Sequence, residues 1–170
     1  MDANTDLPEQ FERLYPAVFR YFRLRGADAD TANDLASAAF ERALANLKRF
    51  DPRKGSFASG IFTIARNLAA NRWASPASRT AALGDDLPAA GPSLELGLIQ
   101  LEDRRELLAA LGELDGRERE LLALKFASRF TNRQIAALTG LSESNVGVIL
   151  FRCLGRLRVR LARHEEIPYE

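Results

Sequence analysis

Hydrophobic residues recur every three or four positions along most of this chain, a spacing typical of amphipathic helices. A first stripe ends at Gly26 and is made by Phe11, Leu14, Tyr15, Val18, Phe19 and Phe22. The same spacing predicts a second helix over about 30–49, with inward-facing Leu35, Ala39, Leu44 and Leu47. After a break at Pro52 and Gly55, it predicts a third helix over about 57–73, with inward-facing Phe57, Ile61, Ile64, Ala65 and Leu68.

Residues 74–100 have a different composition, with several helix breakers, few aromatic side chains and a slight acidic excess. Such a segment predicts a flexible linker. Beyond it, two amphipathic patterns predict helices over about 101–114 and 115–127, the second opening on an Asp115-x-x-Glu118 capping pattern. We therefore expect an all-α protein with two small helical domains, at 1–73 and 101–170, joined by the linker at 74–100.

The segment from 131 to 160 has the pattern of a helix-turn-helix. Thr131 and Gln134 form a capping box, Gly140 suits a left-handed turn, and Ser142 can cap the next helix. The apolar positions of the two helices are Ile135, Ala136 and Leu138, then Val146, Ile149, Leu150, Cys153, Leu154 and Leu157. This motif places its second helix where it can enter a DNA major groove, so the sequence predicts a DNA-binding protein.

Charge and composition narrow the function further. The net charge of the 170 residues is only +1, but residues 141–163 are basic, with Arg152, Arg156, Arg158, Arg160 and Arg163 against Glu143. One cysteine, Cys153, and one histidine, His164, provide neither a nucleophile–base pair nor a metal site, so we expect no enzyme, no metal and no cofactor. We expect Cys153 in the core and His164 in a polar tail. A polar N-terminus and no long apolar run predict a cytoplasmic protein.

Two longer segments resemble bacterial RNA polymerase sigma factors. The segment FDPRKGSFASGIFTIARNLAANRWAS (50–75) is similar to the promoter-reading part of their domain 2, and residues 111–161 are similar to their domain 4. Two such domains and nothing else are typical of the extracytoplasmic-function (ECF) branch. The resemblance implies a transcription initiation factor that binds core RNA polymerase, through its β′ coiled coil and β flap, and directs it to promoter DNA. It also implies an anti-sigma protein as a further partner.

The resemblance implies that the third helix reads the minus-10 element of a promoter. Asn67 and Asn71 are four residues apart, share a helical face, and carry both donors and acceptors for base edges. The arginines beside them suit phosphate contacts. The resemblance also implies that the preceding loop, residues 52–56, forms a pocket for a base that leaves the stack during melting. The further residues assigned to the minus-10 element are Arg53, Lys54, Gly55, Ser56, Arg66 and Arg72.

In the second domain, the resemblance implies contacts with the minus-35 element. The residues assigned to it are Arg133, Ser142, Ser144, Asn145, Val148, Phe151, Arg152 and Arg156. Where many members of the family have Lys, Ser and Arg, this chain has Gly147, Val148 and Ile149. We expect Ile149 in the core. Gly147 and Val148 predict a less polar face that reads DNA partly through thymine methyl groups.

Domain 2 of the family offers an acidic face to the polymerase. The residues that the resemblance assigns to this contact are Asp30, Asp34, Leu35, Phe40 and Glu41. The face is short of negative charge, because Thr31, Asn33, Ser37 and Ala38 stand at neighbouring positions. Two hypotheses remain. Either the remaining acidic and apolar residues suffice, or phosphorylation of Thr31 or Ser37 restores the acidic face.

Two other classes of function remain open. A helix-turn-helix repressor with an N-terminal oligomerisation domain would bind a palindrome as a dimer. A sigma-like decoy would bind an anti-sigma protein without initiating transcription. The Asn67–Asn71 pair favours the sigma factor over both alternatives, whereas the thin acidic face favours the decoy.

Overall fold

The computed structural model of the chain describes residues 7–74 and 105–165, which form the first lobe and the second lobe respectively. The predicted all-α class is confirmed, and no β-strand occurs within these two ranges. The helices are α1 (Leu7–Leu24), α2 (Ala29–Ala45), α3 (Phe57–Arg72), α4 (described over 105–112), α5 (Gly116–Ala127), α6 (Asn132–Thr139) and α7 (Glu143–Glu165), with a 3₁₀ turn at Leu47–Arg49. Apart from Ala74, the predicted linker lies outside the described residues.

Helices α1 to α3 of the first lobe pack around aromatic side chains. The stripe on α1 is confirmed, but the pattern missed two of the largest fully buried residues, Tyr21 on α1 and Phe62 on α3. On α2 the inward face is made mostly of alanines, and the prediction that Leu44 faces inward was wrong, because it is 47% exposed whereas Ala43 is buried. Small side chains on α2 allow α1 and α3 to approach it closely.

The helix caps and the turn of the second lobe are formed by the residues that the sequence pattern predicts. Both capping boxes are confirmed: Asp115 Oδ1 accepts from the Glu118 amide at 2.8 Å, and Thr131 Oγ1 accepts from the Gln134 amide at 3.2 Å. Gly140 has a φ of 74°, the left-handed conformation that glycine adopts without strain. His164 is not in a tail beyond the last helix, because α7 continues to Glu165.

The two lobes pack directly on each other. Helix α1 contacts α5, and α3 contacts α6, so one continuous core extends across both lobes. At the centre of this junction, the rings of Phe62 and Phe130 meet edge to face, with centroids 5.2 Å apart. The helix expected to read the minus-10 element therefore lies beside the helix-turn-helix.

Candidate nucleic-acid interface

Helix α3 presents the candidate minus-10 residues on two different surfaces. Asn67, Asn71 and Arg72 are exposed to solvent. Arg66 is only half-exposed, because its Nε donates to Glu120 Oε1 at 2.7 Å and its Nη1 donates to the Leu138 carbonyl. The asparagine pair is thus available for base edges, whereas Arg66 is bound to the second lobe.

The loop before α3 is exposed, and its polar groups have local roles. The Ser56 Oγ accepts from the Ser59 amide at 3.1 Å and so caps α3. Arg53 Nε lies 3.1 Å from Asp51 Oδ1, and the hydrogen bonds from Arg53 hold the pKa of the Asp51 carboxyl below its usual range. Lys54 and Gly55 are exposed, and a Cβ at Gly55 would meet no described atom within 4 Å. The loop thus offers two cations and an open backbone.

The first turns of α7 form the candidate minus-35 surface. Ser142 caps the helix by accepting from the Asn145 amide at 3.1 Å, and Ser144 and Asn145 are exposed, whereas Val146 is buried. Phe151 is 80% exposed, which is unusual for an aromatic residue unless it faces a partner. The exposed candidate residues of this surface are Ser142, Ser144, Asn145, Val148, Phe151 and Arg152.

Two neighbouring positions on α7 have packing roles instead. Ile149 is half-buried against the core, as expected. A Cβ at Gly147 would lie 3.5 Å from Asn132 Nδ2, so Gly147 belongs to the crossing of α6 and α7 and not to an open face. The less polar part of the surface therefore consists of Val148 and Phe151. Leu154, predicted to be inward, is exposed on the same helix.

The remaining candidate arginines of the second lobe differ in whether a carboxylate already binds them. Arg133 is exposed on α6. Arg156 is bound to the Glu118 carboxylate, which also completes the cap of α5. Beneath it, Cys153 is a buried free thiol, as predicted, and burial raises the pKa of this thiol. Arg133 is therefore the more accessible of the two candidate phosphate ligands.

The candidate polymerase face on α2 needs one correction. Asp30, Asp34 and Glu41 are exposed, and Leu35 is half-buried. Phe40 was predicted to contact the polymerase, but it is only 2% exposed, because its ring packs 4.3 Å from that of Phe11 inside the lobe. The helical spacing is consistent with this burial, since Phe40 lies four residues after the buried Ala36.

The two hydroxyl groups considered for phosphorylation already have partners. Thr31 Oγ1 donates to Asp28 Oδ2 at 3.0 Å, within the cap of α2. Hydrogen bonds from the Thr31 backbone and side chain lower the pKa of the Asp28 carboxyl. Ser37 Oγ lies 3.1 Å from the Tyr15 hydroxyl, which also donates to Asn33 Oδ1 at 2.6 Å. A phosphate at either position would have to replace these contacts.

The described residues provide neither a metal site nor a membrane-spanning helix. No group of three His, Cys, Asp or Glu side chains in the described ranges is arranged to hold a metal ion. No single helix in those ranges is long and apolar enough to cross a membrane, and the pair α6–α7, which meets the length and composition test together, turns by 109° between its helices.

Both lobes match known protein families. The sequence pattern of Sigma-70 region 2 matches residues 10–80, and that of Sigma-70, region 4 matches residues 104–157. Together they cover more than half of the chain, in the order of the two lobes. The chain is an ECF sigma factor of the sigma-70 family.

Relatives of this sigma factor match it along most of its length. It is 28% identical over 162 residues to the ECF RNA polymerase sigma factor BldN of Streptomyces coelicolor, covering 91% of this chain and 61% of BldN, so it spans less than two thirds of that relative. It is 27% identical to the ECF sigma factor RpoE of Cereibacter sphaeroides, covering 91% of this chain and 85% of RpoE. The fold also matches the sigma factor RpoE of Bartonella quintana, solved in complex with the anti-sigma factor NepR, with a TM-score of 0.71, 23% identity, and coverage of 92% and 97% of the two chains.

Proposed function

We propose that this sigma factor is a transcription initiation factor that binds core RNA polymerase and directs it to promoters with a minus-10 and a minus-35 element. The observation that carries the proposal is the pair Asn67 and Asn71, whose exposed side chains lie four residues apart on α3 and make no hydrogen bond to another described residue. Exposed asparagines that satisfy no partner in the protein are suited to base edges. A second, dissimilar polar surface opens on α7.

In the first lobe, Asn67 and Asn71 read the minus-10 element, and Arg72 contacts phosphate. The loop from 52 to 56 lies at the N-terminus of α3, where backbone amides and the exposed Arg53 and Lys54 favour the sugar-phosphate backbone. We propose that a base flipped during melting enters beside Gly55, where the backbone is open. Ser56 keeps its role as the cap.

In the second lobe, the minus-35 element is contacted by the N-terminal half of α7. Ser144 and Asn145 supply hydrogen bonds, Val148 and Phe151 contact thymine methyl groups, and Arg152 with Arg133 holds phosphates. Arg156 joins them after exchanging the Glu118 carboxylate for a phosphate. This surface implies a strong preference for thymine at one or more positions.

The polymerase contacts lie elsewhere on the two lobes. On α2, Asp30, Asp34 and Glu41 face the β′ coiled coil and Leu35 adds apolar area, while the second lobe contacts the β flap. Phosphorylation of Thr31 or Ser37 remains a second hypothesis for this face. At Thr31 a phosphate would gain the N-terminus of α2 but face the Asp28 carboxylate, so Thr31→Glu that leaves polymerase affinity unchanged argues against it.

The test uses the purified chain with bacterial core RNA polymerase and a random DNA library. Sequences retained by the complex define the promoter, and permanganate reactivity of its thymines reports melting. The double variant Asn67→Ala with Asn71→Ala should co-elute with polymerase but lose melting at least tenfold, whereas the control Asn46→Ala, on an exposed asparagine of the first lobe, should melt normally. Equal melting by both variants contradicts the proposal.

The same assay separates the alternatives. A repressor would bind a palindrome without polymerase, and a decoy would bind an anti-sigma protein but give no transcript. We propose an anti-sigma protein as a further partner, supported by the structural likeness to a sigma factor that was solved with one.

A further inference from the structure

The Tyr15 side chain of α1 binds two polar residues on the candidate polymerase face of α2. Its hydroxyl donates to Asn33 Oδ1 at 2.6 Å, and its Oη lies 3.1 Å from the Ser37 Oγ. Its ring is anchored by two others, with centroids 5.7 Å from that of Phe11 and 5.4 Å from that of the buried Phe40. Tyr15 therefore holds two neighbouring side chains of α2 from an anchored position.

The number of hydroxyl hydrogens decides how these groups are oriented. Tyr15 has one hydrogen to donate, and Asn33 Oδ1 accepts it, so the Ser37 hydroxyl is the donor in its own hydrogen bond with Tyr15. Because Tyr15 holds the Asn33 side chain by its oxygen, Nδ2 is the free end of the amide, and it makes no hydrogen bond to any described residue. Asn33 is exposed, so its two amide hydrogens are left for a partner.

Asn33 and Ser37 lie beside the three acidic residues of this face. Residues three or four positions apart are neighbours on a helix, so Asn33 adjoins Asp30, and Ser37 adjoins Asp34 and Glu41. All three carboxylates are exposed. The face therefore offers carboxylate acceptors at three positions and an amide donor at a fourth.

A donor and an acceptor select opposite groups on a partner. A carboxylate binds a cation, whereas an amide Nδ2 binds an oxygen acceptor, such as a backbone carbonyl or a carboxylate. We propose that Tyr15 is a positioning residue for the polymerase contact, which holds Asn33 so that its Nδ2 donates to an oxygen acceptor on core RNA polymerase. This inference rests on the proposed function.

The test uses a substitution for which charge and hydrogen bonding predict opposite signs. Asn33→Asp keeps an oxygen for the Tyr15 hydroxyl, replaces the Nδ2 donor by a second oxygen, and adds a negative charge. We expect the affinity for bacterial core RNA polymerase, measured by biolayer interferometry, to fall about tenfold, because two acceptors then face each other. A basic partner at this position would instead bind the variant more tightly.

Arg42→Gln is the matched control for charge. Arg42 is exposed on the same helix, and its replacement by glutamine also makes the chain more negative by one charge. It should change the affinity for polymerase by less than about twofold, since water and salt screen exposed charges. Circular dichroism confirms that both variants retain their helices.

Tyr15→Phe separates positioning from packing. It removes only the hydroxyl and keeps the ring against Phe11 and Phe40, so the Asn33 amide is free to rotate. We expect about a threefold loss of affinity, and we expect Asn33→Asp to cost about threefold less in this background than in the unchanged chain. A hydroxyl with a purely structural role would lower stability in urea and leave the effect of Asn33→Asp on affinity the same.

The outcomes keep this inference apart from the proposed function. Tighter binding by Asn33→Asp, or a loss no greater than that of Arg42→Gln, overturns the donor role of Asn33 even if the unchanged chain initiates transcription. Equal effects of Asn33→Asp with and without the Tyr15 hydroxyl overturn positioning by Tyr15. If the unchanged chain does not bind core polymerase, the proposed function fails, and this inference fails with it.

Discussion

The two helices proposed to contact DNA are used very differently by the fold. Helix α3 buries Ile61, Phe62 and Leu68 and binds the second lobe through Arg66. Helix α7 buries one face, with Val146 and Leu150, within its own lobe and exposes the opposite face, including Phe151. The first lobe thus uses one helix both for the junction and for the proposed DNA surface, whereas in the second lobe the junction is formed mainly by α5 and α6 and the proposed DNA surface mainly by α7.

The largest expected effect contrasts the two helices directly. Phe62→Ala removes a fully buried ring that contacts Tyr21 and Phe130, and it should lower the free energy of unfolding by about 3–5 kcal/mol. Phe151→Ala should change it by less than about 0.5 kcal/mol, because that ring is exposed. Urea denaturation of both variants checks this. Similar losses would contradict the assignment of Phe151 to a free surface.

Two glycines of the second lobe should respond in opposite ways to substitution by alanine. Gly140→Ala forces a Cβ into a left-handed backbone at φ 74° and should cost about 1–2 kcal/mol of stability. Gly155→Ala, in the interior of α7 with open space around its Cβ, should instead stabilise the chain by about 0.5–1 kcal/mol. Thermal unfolding measures both. Destabilisation by Gly155→Ala would mean that this face of α7 is covered.

Alkaline pH tests the burial of the junction. Burial raises the pKa of Tyr21 above its ordinary value of 10.0, with Arg25 opposing the rise and Glu120 reinforcing it. Because the folded pKa is the higher one, the stabilisation is complete below pH 10 and is lost as the pH rises beyond it, approaching about 1.4 kcal/mol per pH unit. Denaturation between pH 9 and 11 should show a steeper decline for the unchanged chain than for Tyr21→Phe. Parallel curves would indicate that Tyr21 is accessible.

The smallest effect is expected at an exposed pair of the second lobe. Glu113 Oε1 lies 3.2 Å from Arg160 Nε, and these side chains are 61% and 41% exposed. Glu113→Gln should change the free energy of unfolding by less than about 0.5 kcal/mol, since water and salt screen such pairs. Glu120→Gln, at the less exposed junction pair, should cost more. Equal costs in denaturant titrations would remove the distinction between these pairs.

The features predicted correctly from sequence are those fixed by neighbouring residues. The capping boxes at Thr131 and Asp115 and the left-handed Gly140 depend on contacts within three or four positions. The errors concern contacts between distant segments. The family resemblance assigned Phe40 to the polymerase contact, whereas its ring packs against Phe11 and Tyr15 of another helix.

The junction itself had no sequence signal of its own. Glu120 reads as one more acidic residue on an amphipathic helix, and Arg66 reads as a phosphate ligand. Their pairing depends on how two lobes, 54 positions apart in the chain at this contact, pack together. The exposed candidates Asn67, Asn71 and Ser144 lie on accessible surfaces, but only DNA can test which bases they read.

Cys153 is a built-in chemical probe of local opening in the second lobe. It is the chain's single thiol, it lies fully buried on the inner side of α7, and burial raises its pKa, so the nucleophilic thiolate is scarce while the helix is seated. An alkylating reagent can therefore react only during moments when α7 lifts from α5 and α6. The rate of Cys153 alkylation therefore reports how often α7 separates from α5 and α6, without any label added to the protein.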